Sequence, residues 1–216
     1  MHRPFEEALL RVDRVSARGL IANPSADVDA PRSLDAPRSL DALVVPALAS
    51  IGARWESGEL SLSQVYDAGV ICEELVNELS VGTGTGTASR SDLRIGIVVL
   101  EDHHRLGKRM VQAVVQASGW STVDLGEGLS VPTVVAAVRA HRLDVLLVST
   151  LMLRSALLVR SLVDSMRISG LPTRVVVGGA PFNMDPTLAR EVGADAWGAS
   201  ASDASRILND LEEVAR

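Results

Sequence analysis

The chain has 216 residues, of which 47% are apolar, 3% aromatic and 22% charged, and its formal net charge is −6. That length allows one large domain or two small ones, and the composition supports a core of Leu, Val, Ala and Ile rather than a disordered chain. The acidic balance argues against direct nucleic-acid binding and against polybasic attachment to a membrane, and the single cysteine, Cys72, excludes a disulfide framework or a multi-thiolate zinc site within one chain.

At the N-terminus, Glu6 and Glu7 stand where a signal peptide would carry its apolar stretch. No apolar run approaches the roughly 20 residues of a membrane span. The expectation is a soluble, cytoplasmic protein. The first signals are helical. Apolar residues recur at helical spacing over Phe5–Arg18, Leu40–Trp55 and Leu62–Leu79, with a short segment near Gly19–Ala22. Ser61 is placed to cap the third of these helices. A bundle of three or four helices is predicted over residues 1–81. Between the first two helices, Ala30–Asp35 is repeated at once as Ala36–Asp41, which reads as a duplication lengthening a surface loop. Residues 82–91 are rich in Gly and Thr and read as an interdomain linker.

Over residues 92–216 strands and helices alternate. Strands are predicted over Leu93–Leu100, Ser121–Asp124, Leu143–Ser149, Thr173–Val177 and Ala194–Trp197. Helices are predicted near Arg105–Ser118, Val131–His141, Ser155–Ser169, Pro186–Val192 and Ser202–Val214. The fold class is α/β: a helical bundle followed by a five-stranded, parallel, doubly wound sheet of flavodoxin or Rossmann-like type. Ligands of such sheets bind outside the carboxyl ends of the strands.

Those ends carry chemistry. The first reads Glu101-Asp102-His103-His104-Arg105-Leu106-Gly107, the third Ser149-Thr150-Leu151, and the fourth Gly178-Gly179. Asp102 stands where it can orient the His104 imidazole and fix its tautomer, as metal-bound histidines require; a solvated loop is the plainer reading. The Ser149 hydroxyl suits a ligand or the cap of the next helix. The diglycine suits a closely approaching ligand or a tight turn. A Walker phosphate loop, a dinucleotide fingerprint and a nucleophile elbow are all missing; Gly126-Glu127-Gly128 is too short for the second of these.

Taken together, D-x-H-x-x-G, S-x-L and GG in this order resemble the cobalamin-binding domain of corrinoid proteins. Val192–Trp197 is similar to that family's final strand, and Ile51–Leu60 resembles its helical cap. The resemblance runs from about Leu40 to the end. It implies that His104 binds cobalt from below in place of the cofactor's own base, with Asp102 bonded to the far ring nitrogen. Ser149 and Leu151 would contact the displaced nucleotide tail. Gly178 and Gly179 would leave it room, and Gly107 would let the loop turn close to the corrin. Trp55 would lie over the upper face, or else serve as bundle core. His103 is left with a surface role. The pattern departs at Glu101, where glycine is usual, and at Met152-Leu153-Arg154, where small hydroxylic residues are usual.

Within that family the layout resembles a carrier subunit rather than a stand-alone enzyme. It implies a methyl group carried on base-off, His-ligated cobalt between substrate-specific and acceptor methyltransferases. The cofactor would be methylcobalamin, with adenosylcobalamin as the other form. A cobalamin- or light-sensing adaptor acting on a regulatory protein is the alternative. Photoreceptors of this kind carry Glu-His nine residues after the cap Trp, where this chain has Val65-Tyr66. A mutase small subunit lacks such a cap. A degenerate interaction module without cofactor would draw only on Glu101 and Arg154.

Overall fold

The computed structural model describes residues 2–22, 43–82 and 93–215. Its contacts divide the chain into two compact units, Met1–Gly84 and Thr85–Arg216. The Ala30–Asp41 repeat and, apart from Gly82, the predicted linker lie outside the described residues.

The first unit is helical. Its described helices are α1 (Arg3–Leu10), α2 (Arg14–Ala22), α3 (Val45–Glu56) and α4 (Leu62–Gly82). The single helix expected over Phe5–Arg18 is broken in two. Val12 sits at φ 58°, a left-handed conformation that a β-branched residue rarely adopts. Asp13 then starts α2, its carboxylate accepting the Ser16 N–H at 3.0 Å and the Ser16 hydroxyl at 2.7 Å. Ser61 does cap α4. Its hydroxyl accepts the Gln64 N–H at 3.3 Å while Gln64 Oε1 accepts the Ser61 N–H at 2.9 Å, a reciprocal capping box. Phe5, Leu9, Val44, Ile51, Ile71 and Cys72 are among the buried side chains. Buried Glu6 pairs with Arg54 at 2.8 Å, tying α1 to α3. Arg14–Glu74 and Arg18–Glu78 pairs tie α2 to α4.

The second unit is built on a five-stranded sheet in the order β2-β1-β3-β4-β5, with every described pairing parallel. The strands are β1 (Ile95–Leu100), β2 (Thr122–Leu129), β3 (Val145–Ser149), β4 (Arg174–Gly178) and β5 (Ala196–Gly198). The helices are α5 (Leu106–Ala117), α6 (Val131–His141), α7 (Leu153–Ile168), α8 (Ala180–Met184), α9 (Thr187–Glu191) and α10 (Ala201–Ala215). β1, β3 and β4 are apolar runs because both their faces are covered. One face of the sheet packs Leu146, Val148 and Val177 under Val134, Val159 and Leu162 of α6 and α7. The other packs Ile97, Leu147 and Val176 under Val115 of α5 and Leu208 of α10. Chain order reverses between β1 and β3. The loops that leave these two strands lead to helices on opposite faces of the sheet, and this switch point is the usual ligand position in such a sheet.

Two differences from expectation bear on the site. β2 runs past Asp124 to Leu129, through glycines that weaken strand propensity, because its pairing with β1 prevails over local preference. A short helix, α8, follows the diglycine directly and is anchored by fully buried Phe182.

Candidate functional site

Asp102 lies on the loop leaving β1 and is only 5% exposed. Its Oδ1 accepts the main-chain N–H groups of His103 at 2.6 Å and His104 at 3.1 Å, and meets the His104 ring Nδ1 at 2.5 Å. Its Oδ2 accepts the N–H groups of Leu151 at 3.3 Å and Met152 at 3.2 Å, from the loop leaving β3. One buried carboxylate thus joins the two diverging loops. Burial pushes its pKa up, but the bonds from the His104 ring, the His104 amide and the Met152 amide outweigh burial and hold it down at about 2. Asp102 is therefore ionised at neutral pH and can only accept. Nδ1 of His104 therefore carries a proton, and in the neutral ring the lone pair falls on Nε2. The His104 side chain is 57% exposed. The product of this geometry is one fixed, outward imidazole donor.

The other expected residues fall into two groups. Gly107 stands in the first turn of α5, where a Cβ would come within 3.1 Å of Ser149 Oγ. Ser149 pairs in register with Gly178 across β3 and β4. Gly179 has φ 122°, and a Cβ there would overlap the Thr150 carbonyl oxygen. The protein's own packing thus requires glycine at 179, beyond any need of a ligand. Leu151 is 45% exposed beside the Asp102 contact. Trp55 belongs to the other unit, on α3, and is 46% exposed, so it is not the buried core residue that a bundle tryptophan usually is.

Sequence reasoning missed several participants. The Leu151 and Met152 amides are main-chain donors and leave no residue signal. Thr150 is buried, with a hydroxyl that has no partner among the described residues. Lys108 has a side chain only 4% exposed, held by Asp124 at 2.7 Å and Glu127 at 3.3 Å. The helical register of Lys108, on the same turn as apolar Met110 and Val111, was the available hint. Glu101 occupies φ 44°, the left-handed region where glycine is at ease, which gives its departure from the usual pattern a conformational meaning.

The donor set can be tested against the group the resemblance implies. A single imidazole nitrogen suits a metal that brings its other donors with it, as a macrocycle does. Among the described residues no cluster of three or more His, Cys, Asp or Glu is arranged to hold an ion. Leu151, Met152, Leu153 and Leu157 are all about half exposed on the adjoining loop and first turns of α7, an apolar surface of the kind a large flat ligand covers. The Thr150 hydroxyl, without a partner among the described residues, lies at the end of β3 beside Gly179. The residues fit a corrinoid.

Comparison with known proteins agrees. The family model for the B12 binding domain matches residues 94–206, more than half of the chain. Monomethylamine corrinoid protein 1 of Methanosarcina mazei is 31% identical over 179 residues, spanning 77% of this chain and 78% of that one. A corrinoid protein of Desulfitobacterium hafniense is 25% identical over 177 residues, 78% of this chain and 79% of that one. Among solved structures, the monomethylamine corrinoid protein of Methanosarcina barkeri superposes with a TM-score of 0.77 at 23% identity, over 96% of both chains. The methanol:cobalamin methyltransferase complex of Methanosarcina barkeri gives 0.52 at 21% identity, over 97% of this chain and 78% of that one. These last two are likenesses of fold. Among the described residues no helix is long and apolar enough to cross a membrane. By sequence, motif and fold, the chain belongs to the B12-binding family of corrinoid proteins.

Proposed function

We propose that the chain is a cytoplasmic corrinoid carrier, in which His104 would hold the cobalt of base-off cobalamin. It passes a methyl group between a substrate-specific and an acceptor methyltransferase. The observation that carries this reading is the Asp102–His104 pair between the β1 and β3 exits, bonded through Nδ1, with the imidazole 57% exposed. When bound, cobalamin supplies a cobalt centre that accepts and releases a methyl group.

The chain's own residues hold and shield. Asp102 fixes the imidazole tautomer and strengthens Nε2 as a donor. Ser149 and Leu151 would contact the nucleotide tail, with Gly107 and Gly178 keeping its path narrow but open. Gly179 closes the turn that brings the β3 and β4 exits together. In this reading residues 1–81 form the cap, 82–91 the linker and 92–216 the binding domain, and exposed Trp55 is the cap residue assigned to the cofactor by the resemblance. The curated relatives, named as monomethylamine and dimethylamine corrinoid proteins, support methyltransferase partners; methylcobalamin is the working form in this reading.

The test is to incubate the purified chain with hydroxocobalamin, desalt it and record its visible spectrum beside His104→Ala. Retained cofactor with a base-off, imidazole-ligated spectrum that the variant loses is the expected result. No retention of hydroxo-, methyl- or adenosylcobalamin would overturn the proposal. Retention followed by a light-triggered change of partner binding, with no methyl transfer, would move the function to sensing.

A further inference from the structure

His103, the other histidine of the pair, has no role in the proposed ligation, yet its ring has a defined seat. β2 slips twice against β1, between Ile97 and Val98 and between Val99 and Leu100. The second slip pairs Val99 with Glu127 and Leu100 with Leu129, which leaves Gly128 as the extra residue of a bulge. Gly128 has φ 69°. The imidazole of His103 lies where its side chain would be: a Cβ there would overlap His103 Cε1 and come within 3.0 Å of Nδ1 and 3.2 Å of Nε2. The Gly128 N–H also donates to the Asp102 carbonyl at 2.8 Å, and the Glu101 N–H donates to the Leu129 carbonyl at 3.0 Å. Buried Lys108, from the first turn of α5, grips Asp124 and Glu127 and so fixes the bulge to the helix that follows the loop. The His103 amide meanwhile donates to Asp102 Oδ1, the same oxygen that meets His104 Nδ1.

We propose that His103 and Gly128 form a latch, in which the His103 ring seated on the glycine bulge holds the β1–α5 loop so that His104 presents its free nitrogen. His103 is a positioning residue and Gly128 its notch. The proposal rests on His104 being the cobalt ligand for its functional consequence, but the latch itself is a property of the cofactor-free chain.

The test is a double-mutant cycle of His103→Ala, Gly128→Ala and both together, on the full chain at fixed neutral pH. Two readouts are taken. One is the low-field Nδ1–H proton of His104, seen by NMR in the cofactor-free protein. The other is the cobalamin titration with its ligation spectrum. Each single change should weaken the low-field proton and lower cobalamin affinity by about tenfold, the usual scale for residues that orient a metal ligand. The double variant should be no worse than His103→Ala alone. Gly128→Asn, which tolerates a left-handed backbone, should behave as Gly128→Ala does, which separates side-chain bulk from backbone strain. Additive effects, or a His103→Ala protein with unchanged proton and affinity, would overturn the latch. If His104 were not the ligand, the wild-type spectrum would lack imidazole ligation while the cofactor-free coupling survived.

Discussion

Asp102→Asn is the substitution that most sharply separates the structural role of the carboxylate from its role toward the cofactor. The change keeps the shape and removes one acceptor. Oδ1 takes the His103 and His104 amides and faces the His104 ring, while Oδ2 takes the Leu151 and Met152 amides. Every one of those partners is a donor. Whichever way an asparagine turns, its NH2 must face main-chain N–H groups, donor against donor, and cannot accept the bonds they gave the carboxylate. Turned to spare His104, it forfeits the two bonds to the β3 exit loop. Hydrogen bonds to a charged group contribute about 1.5 to 3 kcal/mol each, so the loss is about 3 kcal/mol after some relaxation. That is a large fraction of a stability of roughly 5 to 15 kcal/mol. Urea unfolding of the cofactor-free protein measures it directly. His104→Ala is the control, since it removes only an exposed partner and should cost under about 1 kcal/mol. Both variants should lose imidazole ligation of added cobalamin. Equal stability of Asp102→Asn and wild type would refute the claim that this carboxylate ties the two loops together. So would a His104→Ala protein as destabilised as Asp102→Asn.

Three more expectations follow from the same contacts. Lys108 is buried while its partners Asp124 and Glu127 are 40% and 35% exposed. Removing the lysine should therefore cost less than neutralising both acids, about 1 against about 3 kcal/mol in urea melts, because only the second leaves a charge buried and unpaired; the reverse order would contradict the burial argument. Glu101→Gly should raise the unfolding free energy by about 0.5 to 1 kcal/mol, since relief of the left-handed backbone exceeds the added chain entropy; a loss of stability would show that the Glu101 conformation carries no strain. The Asp102 pKa falls from 3.8 to about 2 on folding. Its stabilisation is thus fully present above about pH 4 and is lost as pH falls towards 2, an amount of about 2 kcal/mol. Asp102→Asn should lack that part of the acid limb, and an acid profile identical to wild type would argue against the depressed carboxylate.

Much of this was legible in the residues because it depends on local pattern. The runs behind β1, β3 and β4 are apolar since their strands are covered on both sides, and α6 was read to the residue from its periodicity. The Ser61–Gln64 capping box is a spacing of side chains, so it could be read as well. What could not be read depends on tertiary context. Nothing in Val12 announces a left-handed turn, and the helical spacing of apolar residues over Phe5–Arg18 continues through the break. Leu125-Gly126-Glu127-Gly128 has poor strand propensity, and only pairing with β1 draws it into the sheet. The reason for Gly179 lies in the Thr150 carbonyl, a backbone atom of the loop leaving β3. The amides that hold Asp102 are main chain and carry no identity at all. In the site itself, Asp102 and His104 stood out as a motif, whereas the burial of Lys108 and the seating of His103 on Gly128 had to be seen in space.

The central claim, that His104 binds the cobalt of bound cobalamin, is tested most directly by electron paramagnetic resonance of the reduced, paramagnetic Co(II) form of the loaded protein. The axial nitrogen splits the cobalt lines, into triplets if it is nitrogen-14 and into doublets if it is nitrogen-15. Protein labelled with nitrogen-15 histidine and loaded with unlabelled cobalamin should give doublets, and His104→Ala should abolish the splitting. Triplets that persist in the labelled protein would show that the cofactor's own base remains on the metal and would contradict the account.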